Sequence, residues 1–284
     1  MIIDKLYEDV KSKGNVCVGL DTDISYIPKK FLQKFNYVED AIFRFNQRII
    51  DATSDIASCY KVQIAYYEAL GINGLLVYKK TLDYIKEKGI VSIADIKRGD
   101  IANTAKMYAK AHFEGDFESD IITLNPYMGM DSLEPYMPYI EKKNKGVFLL
   151  LRTSNKGSKD IQHLILEDKK KVYDSVGEKI KATGDKILGK SGYSSIGAVV
   201  GCTSNEEAKM LREKYDKTFF LIPGYGAQGG KAETARAYLN KGNGGVVNSS
   251  RGILLAYKNH DEEGKNFEEY ARLEAINMRN NLSM

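Results

Sequence analysis

The stretch that decides the fold is SIADIKRGDIANT, residues 92–104. It begins as an apolar, β-rich approach and then presents Asp95, Lys97 and Asp100 in quick succession. Side chains two positions apart on an extended chain project to the same side, so we expect Asp95 and Lys97 to face each other. A lysine near two carboxylates keeps its proton, because opposite charges favour the charged form. The stretch predicts a buried strand that carries charged groups to its end, followed by a helix beginning near Ile101.

Similar apolar, β-rich segments recur along the chain, and most are apolar almost without interruption. Such runs are typical of parallel strands covered on both faces. Helix-like stretches with basic last turns lie between them. Eight strand–helix repeats predict an α/β fold, a (β/α)8 TIM barrel that forms a single domain over residues 1–284. A doubly wound open sheet is the alternative, because sequence alone does not show closure. The predicted strands are VCVGL (16–20), ASCYKVQI (57–64), IVSIA (90–94), DIITL (120–124), GVFLLL (146–151), IGAVVG (196–201), TFFLI (218–222) and GGVVN (244–248).

The composition excludes several classes of protein. Lys and Arg number 42 against 38 acidic residues, a balance too mild and too dispersed to indicate nucleic acid binding. The apolar runs are far shorter than the ~20 residues of a membrane span, and the charged amino terminus lacks the apolar core of a signal peptide. We therefore expect a cytoplasmic protein with no nucleic acid or membrane partner.

Cysteine and histidine offer little support for metal or nucleophilic chemistry. The three cysteines are widely spaced and include no CxxC pair, which favours buried reduced thiols. The three histidines, His112, His163 and His260, lie in polar, helix-like contexts, and we expect each at the surface. The segment 155–192 is longer and richer in lysine than the other connections. We expect it to be an insert made of an extended loop and a solvated helix.

The predicted strands end in polar residues. In a barrel of this kind, functional groups gather where strands end and the following loops begin. One polar constellation at one end of the barrel is hard to obtain from stability requirements alone. Even so, Asp95 and Lys97 taken alone could form a structural pair, and Asp100 could be a helix N-cap. The polar strand ends are Asp21, Lys61 and Gln63, Asp95 and Lys97, Asn125, Arg152–Ser154, Thr203, the loop PGYGAQGG and Ser249–Arg251.

A glycine-rich loop, IPGYGAQGGKAE (222–233), leads into a predicted helix. Backbone N–H groups of such a loop and the helix N-terminus suit an anion. Arg251, in VVNSSRG, adds a guanidinium suited to bidentate phosphate binding. In barrels the loops after strands seven and eight are the usual phosphate site. Together these two features favour a phosphorylated ligand.

Six motifs in order resemble those of the orotidine 5′-phosphate decarboxylase family. The pattern is closest to its longer bacterial-type branch, in which the lysine is followed by Arg-Gly-Asp. The similarity runs from Val16 to Ile253, nearly the whole chain. The motifs are GLD (19–21), YKVQIAYYEALG (60–71), DIKRGDIANTA (95–105), LRTSN (151–155), PGYGAQGG (223–230) and VVNSSRGI (246–253).

The resemblance implies a TIM-barrel homodimer that decarboxylates orotidine 5′-monophosphate to UMP without a cofactor or metal. The reaction is the last step of de novo pyrimidine biosynthesis. The resemblance implies that Lys97 is the proton donor and that Asp95 lies against the substrate carboxylate. It also implies that Asp100 and Thr104 reach into the partner subunit's site, where Asp100 holds the partner subunit's Lys97.

The same resemblance implies a set of binding residues. Asp21 and Lys61 bind ribose hydroxyls, and Lys61 also joins the charged network. Ser154 contacts the pyrimidine. Gln228 and Arg251 hold the phosphate while the loop 223–230 closes over it. The other expected substrate-binding residues are Ile101, Pro223 and Gly229.

Two alternatives remain open from the sequence. The first is a Mg²⁺-dependent sugar-phosphate decarboxylase or aldolase of the same superfamily, which shares the Asp-x-Lys-x-x-Asp pattern but uses a carboxylate from the second strand. Here that strand offers Lys61 and Gln63, and Glu68 lies further along. The second is a non-catalytic sensor of a phosphorylated ligand, which leaves the acid–lysine cluster without a purpose.

Overall fold

The computed structural model describes residues 1–226, 230–261 and 263–283. Eight parallel strands pair in chain order, and the last pairs with the first to close a barrel. Closure confirms the predicted (β/α)8 TIM barrel over the open sheet. The strands are β1 (Val16–Gly19), β2 (Cys59–Gln63), β3 (Val91–Arg98), β4 (Ile121–Leu124), β5 (Gly146–Arg152), β6 (Ser194–Val200), β7 (Thr218–Pro223) and β8 (Gly245–Ser249).

Helices follow every strand and cover the outer surface of the barrel. The helix after β1 packs against the helix after β2 and against the last helix of the chain. The α-helices are α1 (Ile2–Lys13), α2 (Lys29–Leu32), α3 (Val38–Thr53), α4 (Ala65–Glu68), α5 (Gly71–Glu87), α6 (Ala102–Phe113), α7 (Met137–Lys142), α8 (Ser158–Ile161), α9 (Val172–Gly184), α10 (Asn205–Lys214), α11 (Ala232–Ala237), α12 (Arg251–Leu254) and α13 (Phe267–Ser283), and 3₁₀ turns lie at Ile24–Tyr26, Pro126–Met128, Met130–Tyr136 and Ala256–Asn259.

The core has two layers, one on each side of the sheet. Val16 and Val18 of β1 belong to the layer between the sheet and the helices, whereas Cys17 belongs to the layer inside the barrel. Successive side chains of a strand point to opposite faces, and here both faces are buried. This is why the strands read as continuous apolar runs rather than as alternating ones.

Helix α1 covers the amino-terminal end of the barrel. Its Ile2, Ile3 and Leu6 are buried in the inner layer of the core. A Cβ at Gly146, the first residue of β5, would lie 3.0 Å from the Ile2 side chain, which shows how closely the helix approaches the strand ends. The carboxyl ends of the strands are therefore the open end of the barrel.

The predicted solvated helix of the segment 155–192 is α9, and it is not wholly solvated. Its Tyr173, Gly177 and Ile180 are buried against β5 and β6. These residues recur at spacings of four and three, which places them on one face of the helix. Lys179, next to Ile180, is exposed on the other side of the helix. Helix α9 is thus the barrel helix that joins β5 to β6.

His112 and His260 differ in burial. His112 is 3% exposed, so its predicted surface position was wrong. It shares a face of α6 with the buried Ala105 and Ala109, and its ring lies beside Phe117. Burial lowers the pKa of His112 to about 4. His260 is exposed, as predicted.

Cys17 and Cys59 are buried free thiols, as expected, whereas Cys202 is only partly buried. Within the ranges that the structure describes, no helix has the length and apolar character needed to cross a membrane.

Candidate active site

A cavity of about 630 Å³ opens at the carboxyl ends of the strands, and all eight strands contribute to its walls. Apolar side chains from β5, β6 and β7 form part of the lining: Leu150, Val199 and Leu221. Seven of the predicted site residues meet in this one cavity, although they are scattered over the sequence. They are Asp21, Lys61, Asp95, Lys97, Ser154, Pro223 and Arg251.

Four charged side chains on or just after β1 to β3 form what we call the charge cluster: Asp21, Lys61, Asp95 and Lys97. The Lys61 Nζ lies 2.9 Å from Asp21 Oδ1 and 3.1 Å from Asp95 Oδ2. The Lys97 Nζ lies 2.6 Å from Asp95 Oδ1. Carboxylates and ammonium groups therefore alternate along the cluster. The Lys61 side chain is 4% exposed and that of Lys97 is 44% exposed, so Lys97 is the ammonium group that faces the open cavity.

The charge cluster keeps its groups ionised in spite of burial. Burial alone would raise the pKa of Asp95, but the ammonium groups of Lys61 and Lys97 and the hydrogen bonds to its carboxylate hold that pKa at about 2. Burial would likewise lower the pKa of Lys61, but Asp21 and Asp95 outweigh it and raise that pKa above its ordinary value. The cavity thus carries a fixed, alternating pattern of charge.

Two residues that the sequence did not single out as site residues complete the coordination of Asp95. Gln63 Nε2 donates to Asp95 Oδ2 at 2.9 Å, and Thr123 Oγ1 donates to Asp95 Oδ1 at 2.9 Å. With Lys61 and Lys97, they supply four donors to the two oxygens. An ionised carboxylate has about four lone-pair sites, so Asp95 is saturated. The available signals were the place of Gln63 two residues after Lys61 and the lone hydroxyl in the apolar strand β4.

Residues at or just after the end of β8, the strand that pairs with β1, hold the second carboxylate oxygen of Asp21. Ser250 Oγ donates to Asp21 Oδ2 at 2.8 Å, and Asn248 Nδ2 donates to Ser250 Oγ at 3.3 Å. A Cβ at Gly19 would lie only 1.9 Å from Ser250 Oγ. The glycine of the GLD motif is therefore required because the serine hydroxyl occupies the space of a side chain.

The backbone around Lys97 differs from the predicted extended strand. Lys97 has φ of 45°, in the left-handed region that residues with a Cβ rarely adopt. The pairing of β3 with β4 also shifts register between Ala94 and Arg98. Lys97 and Asp95 do meet, as predicted, but they meet across a bulge and not through the simple alternation of a strand.

The end of β5 and the loop after it form a second polar region of the cavity. Arg152 Nε lies 3.0 Å from Glu207 Oε1, and this ion pair is buried. The Thr153 backbone N–H donates to Gln162 Oε1 at 3.0 Å, which ties the loop after β5 to the turn after α8. Ser154 lies next in the chain and is exposed in the cavity wall. These contacts hold the chain immediately before Ser154.

The glycine-rich loop after β7 is described at its two ends. Pro223, Gly224 and Tyr225 line the cavity. The Gly226 N–H donates to the Gly230 carbonyl at 3.0 Å, and the Gly230 N–H donates to the Gly224 carbonyl at 3.1 Å, so the two ends of the loop are joined. Gln228 and Gly229, both predicted to bind substrate, lie outside the described residues. Arg251 begins α12 on the neighbouring side of the cavity.

Three predicted site residues lie elsewhere in this chain. In the part of the chain that the structure describes, Asp100, Ile101 and Thr104 are not among the residues that line the cavity. Helix α6 begins at Ala102 with Ile101 in the N-cap position, so Asp100 is not its N-cap residue. The Asp100 carboxylate instead accepts the N–H of Ile101 at 2.8 Å. Ile101 and Thr104 are exposed.

The donor set does not suit the Mg²⁺-dependent alternative. Asp21 and Asp95 are bridged by the Lys61 ammonium group, and Glu68 pairs with Arg98 at 2.8 Å instead of facing the cavity. Among the described residues, no group of three or more His, Cys, Asp or Glu side chains is placed to hold a metal ion.

Comparison with known proteins identifies the same group of enzymes. The sequence model of the "Orotidine 5′-phosphate decarboxylase / HUMPS family" matches residues 14–267. The orotidine 5′-phosphate decarboxylases of Clostridium botulinum (strain Langeland) and Clostridium acetobutylicum are 72% and 66% identical, covering 100% and 99% of both chains. The solved structure of Leishmania donovani OMP decarboxylase superposes with a TM-score of 0.76 at 30% identity, covering 98% of each chain. The chain therefore belongs to the orotidine 5′-phosphate decarboxylase family.

Proposed function

We propose that this protein decarboxylates orotidine 5′-monophosphate to UMP, the last step of de novo pyrimidine biosynthesis, without a cofactor or metal. The observation that carries the proposal is the Lys97 ammonium group, which contacts a saturated, buried carboxylate on one side and faces the cavity on the other. Family membership over nearly the full chain supports the same substrate. Because it is an enzyme of a biosynthetic pathway, we propose that it acts in the cytoplasm, as a single-domain subunit.

The chemistry sets a strict requirement on the site. Loss of CO₂ from C6 of the pyrimidine leaves a carbanion in the plane of the ring, where no π-system delocalises it. Enzymes lower barriers by ~8–23 kcal/mol, and a carbanion this unstable needs the upper part of that range. Fixed charges in a site that excludes water are the largest usual source of such stabilisation. The charge cluster supplies them, because its groups are ionised and already bonded to one another.

The different exposure of the two lysines supports a different proposed role for each. Lys61 is enclosed between Asp21 and Asp95, so it holds the carboxylates in place and offers its remaining capacity to ribose hydroxyls. Lys97 has one contact to Asp95 and a side chain that reaches the cavity. It stabilises the negative charge at C6 and then delivers the proton there as a positioned acid. Asp95, bonded to both lysines, lies against the substrate carboxylate.

The loops after β5 to β8 bind the rest of the nucleotide. Ser154 contacts the pyrimidine, and the phosphate is held by Arg251 and by the loop 223–230, including Gln228. Arg251 and Lys97 are both lining residues of the cavity but come from different sides of it. Binding energy from a phosphate remote from C6 drives closure of the loop and organises the charged groups around the reacting carbon.

A turnover assay tests the proposal. Wild-type protein is mixed with orotidine 5′-monophosphate, and the loss of ultraviolet absorbance is followed before and after treatment with EDTA. We expect turnover that EDTA does not change, and incorporation of solvent deuterium at C6 of UMP in D₂O. Lys97→Ala should abolish turnover while UMP still binds, whereas Lys209→Ala, at an exposed position of α10, should match wild type. Binding of nucleotide without turnover by the wild-type protein would favour a sensor and refute the proposal.

The active unit is proposed to be a homodimer in which Asp100 and Thr104 complete the partner subunit's site. Ile101 and Met107 are 47% and 57% exposed, and Thr104 is exposed between them at a spacing of three residues. Thr104 and Met107, three residues apart, lie on neighbouring positions of the α6 surface, and Ile101 lies at the N-cap just before them, so the three make one exposed, apolar-edged strip. Such a strip at the rim of the barrel suits contact with a second copy of this chain.

Mixing two inactive variants tests the shared site. Lys97→Ala and Asp100→Ala homodimers should each be nearly inactive. A hybrid dimer has one site in which Lys97 and the partner's Asp100 are both intact, so mixing should restore up to about a quarter of the wild-type activity. If subunit exchange is verified with labelled subunits and no activity returns, Asp100 acts within its own chain.

A further inference from the structure

Thr123 is the only polar side chain of β4, whose other residues are Ile121, Ile122 and Leu124. It is 1% exposed and lines the cavity floor beneath the charge cluster. Its neighbours on β4 keep ordinary pairing with β3, since Ile121 pairs with Ile93 and Ile122 with Ala94. Thr123 is therefore set in an otherwise regular apolar strand at the point where the site begins.

The register of β3 and β4 changes at Thr123. After Ala94 pairs with Ile122, the next pair is Arg98 with Leu124. Three residues of β3, 95–97, thus stand opposite one residue of β4. Such a bulge removes ladder hydrogen bonds and re-aims side chains, and bulges are common beside active sites. The N–H groups of the bulge need other acceptors, because an unpaired buried N–H is costly.

The hydroxyl of Thr123 supplies that acceptor. The backbone N–H groups of Ile96 and Lys97 both donate to Thr123 Oγ1, at 3.0 and 2.9 Å. The hydroxyl proton goes to Asp95 Oδ1, at 2.9 Å. A hydroxyl has one proton and two lone pairs, so all of its hydrogen-bonding capacity is used and its orientation is fixed. One oxygen atom therefore joins the carboxylate of Asp95 to the backbone of Lys97.

The backbone of Lys97 needs such support. With φ of 45°, it is in a conformation that an L-residue adopts only where its surroundings hold it there. The conformation directs the Lys97 ammonium group to the same oxygen of Asp95 that accepts the Thr123 hydroxyl. Movement of the hydroxyl would thus move the proposed proton donor and its carboxylate together.

We propose that Thr123 is a positioning residue for the decarboxylation, and that its hydroxyl sets both the backbone of Lys97 and the carboxylate of Asp95. The inference rests on the proposed function. It adds to the proposed function that the placement of the Lys97 ammonium group at the reacting carbon depends on Thr123, whose hydroxyl has no hydrogen-bonding capacity left for the substrate. A threonine that merely filled the barrel would be replaceable by any side chain of the same shape.

Two matched pairs of variants isolate the hydroxyl. Thr123→Val keeps the shape and removes the hydroxyl, and Thr123→Ser keeps the hydroxyl and removes the methyl group. Thr123→Ala, compared with Thr123→Ser, gives a second pair that differs by the oxygen alone and serves if the valine variant does not fold. Thr53→Val removes a buried, hydrogen-bonded hydroxyl of α3 far from the cavity and is the control.

Steady-state kinetics with orotidine 5′-monophosphate and inhibition by UMP are the readouts. We expect kcat to fall about 100-fold in the valine and alanine variants, the loss that a ~1 Å misplacement causes. KM and the inhibition constant of UMP should change less than about threefold, because the ribose and phosphate contacts are intact. Thr123→Ser should stay within about fivefold of wild type, and Thr53→Val should keep wild-type kcat.

Three outcomes would overturn the inference. They are a kcat within a few-fold of wild type in the valine and alanine variants, a serine variant as slow as the alanine variant, and a loss that falls on KM and UMP binding while kcat is unchanged. Each of these leaves the proposed function standing, because wild type still turns over. Absence of turnover in the wild-type protein would instead refute the proposed function and the inference with it.

Discussion

The two halves of the cavity rim are built in different ways. The ends of β1 to β3 carry the charge cluster, whose members are bonded to one another across neighbouring strands. The ends of β5 to β8 carry Ser154, Pro223 and Arg251, which are half-buried or exposed. The first half is a preformed pattern of charge, and the second is a set of loops that we propose to bind the nucleotide.

The difference follows from what each half is proposed to do. Stabilising a developing charge requires groups that need no rearrangement at the moment of reaction. Burying ions is costly, and mutual pairing in good geometry is what offsets that cost. Gripping a phosphate requires an opening through which the nucleotide enters, followed by closure. Substitutions in the first half should therefore act mainly on kcat, and those in the second half mainly on affinity.

The largest expected effect comes from Asp95→Asn, which breaks the first half at its centre. The amide cannot serve both ammonium groups, so Lys97 loses the contact that places it. We expect kcat to fall by at least about 10⁴-fold, since general-acid and electrostatic contributions are lost together. Because removal of one partner leaves a buried charge unpaired, the free energy of unfolding should fall by about 3–5 kcal/mol. Steady-state kinetics and urea unfolding measure the two effects.

The control for this variant is Asp83→Asn, which removes an exposed partner of Lys79 on α5. It should change neither quantity by more than experimental error. If Asp95→Asn kept wild-type kcat, the division of labour between the two halves would be wrong.

Arg251→Ala tests the second half. We expect UMP to bind about 100-fold more weakly, which corresponds to the loss of hydrogen bonds to a charged group worth ~1.5–3 kcal/mol. At saturating substrate, kcat should fall by less than tenfold. Calorimetric titration with UMP measures the affinity, with Arg44→Ala at an exposed position of α3 as the control. Unchanged UMP affinity would remove Arg251 from the phosphate site.

Between pH 7 and pH 5, loss of stability should come from neither half of the rim. The pKa of Asp95 is about 2, so the charge cluster keeps this carboxylate ionised well below pH 4. His112 has its pKa lowered from 6.5 to about 4. As pH falls below 6.5, the unfolded chain takes up a proton at His112 before the folded chain does, so stability present at neutral pH is lost. We expect about 2 kcal/mol to be lost between pH 7 and pH 5 through this group.

The measurement is urea unfolding of wild type and His112→Gln at both pH values. The variant should lose about 2 kcal/mol less than wild type over this interval. His260→Gln, at an exposed position, should follow the wild-type curve. An identical pH dependence in His112→Gln and wild type would contradict the assignment.

The smallest effects should come from two glycines that mark close approaches, one for each half. A Cβ at Gly19 would meet Ser250 Oγ at 1.9 Å and displace it from Asp21, whereas a Cβ at Gly201 would lie 2.8 Å from the Ser154 backbone nitrogen. Overpacking of this kind costs ~1–3 kcal/mol. We expect Gly19→Ala to lower kcat about tenfold and Gly201→Ala to raise KM about tenfold. Steady-state kinetics of the two variants measure both quantities. A raised KM in Gly19→Ala and a lowered kcat in Gly201→Ala would contradict the assignment of kcat to the first half and affinity to the second.

The barrel and the polar strand ends could be predicted because parallel strands buried on both faces read as apolar runs. Because the strands are parallel, all of these runs finish at the same open end of the barrel, and the polar residues that end them meet there. The meeting of Asp95 with Lys97 was also predictable, but its bulged backbone was not, since residue spacing does not reveal a change of register. Thr123 was missed for the same reason: its importance lies in the irregular pairing and not in its own type.

Other features depend on surroundings that one sequence does not display. His112 was expected at the surface because its sequence neighbours are polar, yet the helix turns it toward Phe117. Helix α9 was expected to be solvated because the segment 155–192 is rich in lysine, but most of those lysines lie outside the helix. The roles of Asp100, Ile101 and Thr104 involve a second subunit and stay predictions, to be decided by the mixing experiment.

Helix α1 closes the amino-terminal end of the barrel and leaves the carboxyl end open. Because its apolar side chains fill the amino-terminal end, substrate must enter and UMP must leave through the same mouth. The next substrate therefore binds only after the previous product has left. However fast decarboxylation becomes, turnover cannot exceed the rate at which the product leaves through this opening.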